Sequence, residues 1–118
     1  MWLYAIATGQ LTHDGAFEGF GYSGAITGRN NVQCCSIPNV GPIPPGDYTI
    51  GPVYEHPTLG PFVMNLTPLP GTNTFGRDLF RIHGDNANHD ASHGCVILGR
   101  SQRVAISKSD DNLLRVTA

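Results

Sequence analysis

Residues 1–24 read MWLYAIATGQLTHDGAFEGFGYSG, and this opening stretch predicts a β-meander. Positions 2–7 show the alternation typical of a strand, a turn follows, and positions 10–13 return in a second extended segment. Asp14-Gly15 is a typical two-residue hairpin turn, after which we predict a third strand over positions 17–23. Short strands joined by tight turns favour a fold that is mainly β.

The rest of the chain continues this pattern of short strands and turns. Fifteen glycines and nine prolines are spread among apolar residues, as expected of turns between strands. Positions 101–109, SQRVAISKS, form the one predicted helix, with Ser101 as its N-cap. Positions 24–41 lack periodicity, and we predict a long loop that covers part of the domain. Residues 1–118 are predicted to form one domain, with further strands over 47–53, 62–67, 79–83, 96–98 and 112–118.

The composition argues against several classes of function. Seven Lys and Arg residues against nine Asp and Glu give a net charge of −2, whereas a nucleic-acid-binding surface normally carries a basic excess. No run approaches the ~20 apolar residues of a membrane span. The opening MWLYAIA lacks the basic region and long apolar region of a secretory signal peptide, so we expect a protein made in the cytoplasm without a Sec-type leader. A neutral substrate, or a polymer of mixed charge, fits this composition better.

One polar segment concentrates the residues that could carry chemistry. Positions 81–100 read RIHGDNANHDASHGCVILGR and hold His83, His89, His93 and Cys95. Histidine nitrogen and cysteine sulfur are usual ligands of Zn²⁺, but the spacing follows no standard ligand pattern, and DNANHDA around His89 has the composition of a polar loop. A zinc site, a cysteine nucleophile and a loop without chemistry are the three interpretations.

The nucleophile interpretation requires the least. A thiol becomes a nucleophile when a neighbouring base takes its proton and backbone N–H groups face the developing oxyanion. In SHGC, Gly94 lets the backbone turn sharply, so that Cys95 can approach a substrate carbonyl. In FRIHGD, a predicted strand ends at His83, which gives the base a rigid position. A separation of twelve positions allows the chain to reverse and bring the two residues together.

The other cysteines and histidines are given no part in the chemistry. Cys34 and Cys35 are adjacent, and a disulfide between them would close a strained ring. We interpret them as free thiols or as a small redox-sensitive pair in a loop. His13 is interpreted as a solvated strand end, and His56 as a surface residue on a loop that could border the cleft.

The same residues resemble the catalytic signature of L,D-transpeptidases. That signature joins a His-Gly segment to a later [S/T]-x-G-C motif, which correspond to IHGD at 82–85 and ASHGCVIL at 91–98. GPIPPGDYTIGP at 41–52 is similar to the P-x-G-x-Y segment upstream of this signature. The chain is most similar to a short subgroup that includes L,D-transpeptidase and carboxypeptidase effectors delivered by type VI secretion. The resemblance implies an L,D-transpeptidase-like β-sandwich, with one short helix after the catalytic cysteine.

Carried over residue by residue, the resemblance makes Cys95 the nucleophile and His83 the general base. The carbonyl of Gly84 would orient the His83 ring, which is the third role in a catalytic triad. The backbone N–H groups of Gly94 and Cys95 would form the oxyanion hole.

The remaining predicted contacts are with substrate. Ser92 and His93 match the [S/T]-H pair of the motif and would shape the loop and hold substrate, with His93 ranking below His83 as a base. Other members often place Arg or Asn within two residues of the cysteine, whereas here three apolar residues follow and the nearest cation is Arg100. Arg81 and Arg100 would each either meet a substrate carboxylate or be solvated. Asp85 would contact an ammonium group or cap a turn, and we favour the turn.

The resemblance also implies the substrate, a peptidoglycan stem peptide. Cys95 thiolate, formed by proton transfer to His83, would attack the carbonyl between meso-diaminopimelate and the terminal D-alanine and form a thioester. Water would complete an L,D-carboxypeptidase reaction, a free D-amino acid would complete an exchange, and a neighbouring stem amine would complete a 3–3 crosslink. The small size of the chain favours trimming and exchange, and no cofactor is implied.

Partners and location follow from the same resemblance. Because cell-wall substrate lies outside the cytoplasm, a chain without a leader needs another route of export. Delivery by a type VI secretion apparatus into the periplasm of a target Gram-negative cell provides that route and makes a component of the apparatus a partner. A cognate immunity protein that covers the cleft around Cys95 is also expected, whereas nucleic acid and a membrane span are not.

Three alternatives stay open at this point. The chain could be a housekeeping L,D-transpeptidase that forms 3–3 crosslinks. It could be a zinc hydrolase or a zinc-stabilised module, in which His89 would be a ligand. It could also be a cell-wall-binding module that keeps the fold without turnover.

Overall fold

The computed structural model describes all 118 residues and confirms a mainly β domain with one short helix after Cys95. None of the helices has the length and apolar character that crossing a membrane requires. The elements are β1 (Trp2–Ala5), β2 (Gln10–His13), β3 (Ala16–Phe20), β4 (Tyr22–Ser23), β5 (Gly46–Ile50), β6 (Tyr54–His56), β7 (Gly60–Pro68), β8 (Arg81–His83), β9 (Val96–Ile97), α1 (Arg100–Lys108) and β10 (Leu113–Thr117).

The ten strands form one nearly closed sheet. Their order is β3-β2-β1-β10-β5-β7-β8-β9-β4, with β6 paired to β7. Most neighbouring strands are antiparallel, whereas β1 with β10 and β8 with β9 are parallel. β3 and β4 lie at opposite ends of this order although a single residue separates them in the chain.

The predicted single strand over 17–23 is wrong, because the chain divides at Gly21 into β3 and β4. The Gly21 N–H donates to the Gly9 carbonyl over 2.7 Å. A Cβ atom at Gly21 would lie 2.0 Å from the Ile97 carbonyl oxygen, so only glycine fits where the chain passes between the two ends of the sheet. Alternation of residue types predicts extended backbone but does not reveal this close approach of three backbone segments.

The hydrophobic core is built from alternate residues of paired strands. Trp2 and Tyr4 of β1 stand in register with Leu114 and Val116 of β10, and all four side chains are at most 2% exposed. They belong to a core cluster of 16 buried residues. Burial of each large apolar side chain contributes roughly 1.5–3 kcal/mol. The alternation that predicts the strands thus also predicts which of their side chains lie in the core.

Several predicted boundaries shift. β5 ends at Ile50 rather than at position 53, and the separate strand β6 pairs with β7. The helix begins at Arg100 with Gly99 in extended conformation before it, so Ser101 lies in the first turn and is not the N-cap. The predicted loop over 24–41 contains two short 3-10 helices, Ile26–Gly28 and Val32–Cys34.

The parallel pairing of β8 with β9 positions the predicted catalytic residues. Ile82 stands opposite Val96, and both side chains are buried in the core. Since successive side chains of a strand point to opposite faces, the neighbours Arg81, His83 and Cys95 share the other face. The separation of twelve positions is spanned by the loop that joins these two strands.

Candidate active site

A cavity of about 380 Å³ brings together the thiol and the imidazole that the sequence singled out. Cys95 and His83 both line it, and Arg81, Gly94 and His93 line it too. A cavity of about 280 Å³ continues it past His93, and one of about 200 Å³ continues it past His83. The cleft therefore extends to both sides of the thiol–imidazole pair, with room for substrate on either side.

The sulfur of Cys95 is half-buried and protonated at rest. Its S–H faces the Leu79 carbonyl, 3.7 Å away. Burial raises the pKa of the Cys95 thiol, and this effect outweighs the Arg81 backbone N–H and the charges of Arg81 and Arg77, which lower it. A neutral thiol of this kind needs a base to remove its proton before it can attack.

His83 has the chemistry of such a base. Its Nδ1 lies 2.8 Å from the Gly84 carbonyl oxygen, and because a carbonyl can only accept, Nδ1 carries the hydrogen and Nε2 has a free lone pair. Burial lowers the pKa of His83, the Gly84 contact raises it in part, and the charges of Arg103 and Arg81 lower it further. The ring is only 2% exposed and is neutral near pH 7.

Arg103 is a buried cation that the sequence analysis missed. Its guanidinium donates to the Leu98 carbonyl over 3.1 Å and to the Pro61 carbonyl over 2.7 Å, which ties α1 to the end of β9 and the start of β7. A Cβ atom at Gly84 would lie 2.7 Å from Arg103 Nη2, so a larger residue after His83 would have to displace this guanidinium. Arg103 lies three positions before the buried Ile106 on α1 and therefore on the same, apolar face of the helix. This position in the sequence could have indicated that Arg103 is buried.

The predicted oxyanion hole is only partly available. The Gly94 N–H donates to Ser92 Oγ over 3.2 Å, so it is already satisfied and does not face the cleft as predicted. The Cys95 N–H donates to no protein atom and stays available for an oxyanion. Gly94 still has a geometric role, because its φ of +129° and the 2.4 Å between a Cβ there and Arg77 Nη2 exclude other residues.

Ser92 is part of the framework of the cysteine loop. Its side chain is fully buried, which leaves no exposed surface for the predicted contact with substrate. Its hydroxyl donates to the Cys95 carbonyl over 2.7 Å and accepts the Gly24 N–H over 2.9 Å as well as the Gly94 N–H. Ser23, which the sequence analysis did not single out, donates in parallel to the Gly94 carbonyl over 3.2 Å.

We predict that Ser92→Ala lowers the free energy of unfolding by about 1–3 kcal/mol, because buried backbone groups lose their partner. Ser101→Ala, on the exposed side of the first turn of α1, is the matched control and should stay within about 0.5 kcal/mol. Chemical denaturation of both variants measures the difference. Equal unfolding midpoints for the two variants would contradict the role assigned to the Ser92 hydroxyl.

Arg77, also missed by the sequence analysis, joins the long loop to the cysteine loop. Nη1 donates to the carbonyls of Cys35 (2.5 Å) and Pro42 (2.8 Å), and Nη2 to those of Gly41 (2.9 Å) and His93 (3.4 Å). Desolvation lowers the pKa of Arg77, although the nearby thiols partly offset this effect. These hydrogen bonds form a clamp between the two loops, and nothing in the turn GTNTFGRD marks its arginine for this role.

The loop after His83 is anchored by Asp85, which behaves as the favoured turn residue. Its carboxylate accepts the Asn86 N–H over 2.9 Å, the Tyr22 hydroxyl over 2.6 Å and the His89 ring over 2.7 Å. Burial opposes ionisation of Asp85, but these hydrogen bonds outweigh it and lower its pKa. The Tyr22 hydroxyl also accepts the Ala91 N–H over 3.0 Å, so both ends of the loop meet at one side chain.

The zinc interpretation is wrong in its choice of ligands. Only one group of three or more His, Cys, Asp or Glu side chains has its ligand atoms within 4.8 Å of one another, and it consists of His13, Asp14 and Asp111. His89 is 74% exposed and pairs with Asp85, away from the cavity around Cys95. Trp2 stacks on His13 at 4.0 Å, so that ring is part of a packed surface rather than a solvated strand end.

The other predicted site residues divide between the cleft and the surface. Arg81 lines the cavity with its Nε 3.3 Å from the Tyr54 hydroxyl, and His93 lines it as an exposed residue. Arg100 lies outside the cavity with its guanidinium 4.9 Å from the centre of the Phe62 ring, so its predicted contact with substrate is not supported. His56 accepts two backbone N–H groups of the following turn through Nδ1.

Comparison with protein families shows the class of protein: the chain is an effector domain of type VI secretion. Residues 18–116 match the Tlde1 domain, and the chain belongs to the Tlde1 domain family. No curated protein and no solved structure matches the chain. The match confirms the effector part of the resemblance seen in the sequence, whereas the L,D-transpeptidase part stays a prediction.

Proposed function

We propose that the chain is a cysteine-dependent L,D-carboxypeptidase that removes D-alanine from peptidoglycan tetrapeptide stems and exchanges it for other D-amino acids. One observation carries this proposal. A thiol and a neutral, carbonyl-oriented imidazole line the same open cleft on neighbouring strands. Acyl transfer through a thioester is the chemistry that such a pair supports best.

Proton transfer opens the reaction. His83 Nε2 takes the proton of the Cys95 thiol while the sulfur attacks the carbonyl between meso-diaminopimelate and D-alanine. The developing oxyanion accepts the free Cys95 N–H, and the imidazolium retains its orientation through the Gly84 carbonyl. Collapse of the tetrahedral intermediate breaks the C–N bond, and the imidazolium gives its proton to the leaving amine of D-alanine.

The second half of the reaction decides the product. Water, deprotonated by His83, hydrolyses the thioester and leaves a tripeptide stem. A free D-amino acid attacks through its amine instead and leaves an exchanged tetrapeptide. The cleft is open on both sides of Cys95, which supports access of water and of small amines to the thioester.

Membership of the effector family supports the proposed biological setting. An effector that trims stem peptides acts where those peptides lie, in the periplasm of a target Gram-negative cell. The secretion apparatus delivers it there, and an immunity protein in the producing cell covers the cleft around Cys95.

The test is mass spectrometry of purified disaccharide-tetrapeptide after incubation with the protein, with and without D-methionine. We expect loss of D-alanine without the added amino acid, and the mass of the D-methionine product with it. Unchanged muropeptide in both reactions, identical to a Cys95→Ala control, would refute the proposed enzyme. Dimeric 3–3 products in place of tripeptide would instead assign the protein to crosslinking.

A further inference from the structure

We infer that Arg81 binds the carboxylate of the residue that leaves, so that cleavage requires a free carboxylate one residue after the scissile bond. Tyr54 and Asn65 act as positioning residues for this arginine. The inference rests on the proposed function and adds the recognition of an unblocked C-terminus to it.

The sheet places Arg81 beside the nucleophile. Arg81 of β8 pairs with Asn65 of β7, and the next residue, Ile82, pairs with Val96, which directly follows Cys95. Cys95 and Arg81 are therefore neighbours across two strands, which lie about 4.8 Å apart. Both residues line the main cavity, and the guanidinium is close enough to lower the pKa of the Cys95 thiol in part.

One hydrogen bond holds the Arg81 guanidinium through Nε and leaves its two terminal nitrogens without a protein partner. Arg81 Nε donates to the Tyr54 hydroxyl over 3.3 Å, and that hydroxyl donates to Asn65 Oδ1 over 2.6 Å. The two terminal nitrogens of Arg81 form no hydrogen bond and no ion pair within the protein. A half-buried guanidinium with its terminal nitrogens free is suited to bidentate binding of a carboxylate.

The other arginines near the cleft are not available for this contact. Arg77 lines the neighbouring cavity, but both of its terminal nitrogens already donate to backbone carbonyls. Arg100 lies outside the main cavity, on the ring of Phe62. Arg81 is therefore the arginine of the main cavity that can receive a substrate anion.

The distance between Cys95 and Arg81 suits the size of the residue that leaves. In a peptide, the carboxylate carbon of the terminal residue lies about 3–4 Å from the scissile carbonyl carbon, as the intervening bond lengths and angles dictate. Because Arg81 stands opposite Cys95 across the β8–β9 pair, this separation lets a carboxylate next to a carbonyl held at Cys95 reach the guanidinium. A stem whose D-alanine is already amide-bonded in a crosslink has no such carboxylate, so the inference predicts trimming of uncrosslinked stems.

Two substrates that differ in one group test this inference: the tetrapeptide with a free C-terminal carboxylate and the same peptide as its C-terminal carboxamide. We expect wild-type kcat/KM to be at least about 30-fold higher for the acid, since hydrogen bonds to charged groups are the strong ones. Arg81→Met should reduce this ratio to about one. Arg100→Met, the matched control, should keep it. Tyr54→Phe should raise KM for the acid several-fold with a smaller change in kcat, because the arginine is then present but loosely held.

Binding to the inactive protein separates this inference from the proposed function. Calorimetric titration of Cys95→Ala protein should give at least about tenfold tighter binding of the acid than of the carboxamide. Equal affinities, or equal wild-type rates on the two substrates, would overturn the role of Arg81 while leaving the enzyme activity intact. Discrimination in binding without turnover by the wild-type protein would refute the proposed function and retain the carboxylate site.

Discussion

Replacing Cys95 with alanine is expected to lower kcat/KM for release of D-alanine by about 1,000-fold or more. The sulfur forms the covalent intermediate, so its removal leaves only binding and the N–H of residue 95 to act on the substrate. The fold should survive, because Cys95 is half-buried and its sulfur has only the weak S–H contact to the Leu79 carbonyl and the contact from the Arg81 backbone N–H. Quantifying D-alanine released from disaccharide-tetrapeptide measures the loss.

Cys34→Ala is the matched control for this experiment. Cys34 is also a half-buried free thiol, but it lies at the end of a 3-10 helix and lines none of the cavities. Its activity should stay within about twofold of the wild type. Intact mass spectrometry of trapped wild-type enzyme should show the acyl group on the peptide that contains Cys95. An acyl group found on Cys34 or Cys35, or full activity of Cys95→Ala, would assign the nucleophile elsewhere.

His83→Ala is expected to reduce kcat/KM by roughly 100- to 10,000-fold, which is the usual range for loss of a general base. His89→Ala is the matched control, because its ring is 74% exposed and pairs with Asp85 outside the cavity. We expect His89→Ala to retain activity within about threefold. A loss with His89→Ala as large as that with His83→Ala would restore the zinc interpretation.

The pH dependence gives the His83 prediction a second readout. Burial lowers the pKa of His83 and raises that of Cys95. The reactive pair, a neutral imidazole with a neutral thiol, is therefore present at every pH between these two pKa values. As the pH falls through the lowered pKa of His83, the ring takes up a proton and can no longer act as a base. The acid limb of kcat/KM in the wild type should therefore lie below the ordinary histidine value of about 6.5.

In His83→Ala the part of the pH profile that reports protonation of His83 should disappear. The residual rate should then rise with pH toward the raised pKa of Cys95, because only the spontaneously formed thiolate reacts. An acid limb that stays in place in His83→Ala would show that another group supplies the base, and His93, which also lines the cavity, is the candidate.

Local sequence pattern predicts most of the strands and the His83–Cys95 pair. Alternation and turn residues identify most strands, and the spacing between His83 and Cys95, with glycine after the first and before the second, indicates the pair. The break at Gly21 was not predictable from local pattern, since it arises from the Ile97 carbonyl, which is distant in sequence.

The arginines that support the site could not be predicted from the sequence for the same reason. Arg77 and Arg103 act on backbone carbonyls of distant segments, and a carbonyl is present at every position of every sequence. Ser92 was found through its motif, but the motif does not say whether its hydroxyl points to the loop or to substrate, and the structure shows it bonded within the loop. Residue types predict the chemistry of the site, whereas long-range contacts decide what holds it.

The clamp made by Arg77 has an evolutionary consequence. It grips main-chain oxygens of Cys35, Gly41 and Pro42, not their side chains. The outward-facing side chains of this segment are therefore free to diversify between homologues without dismantling the machinery beneath them. If the proposed immunity protein covers this segment, these side chains can change against that partner while the proposed reaction stays the same.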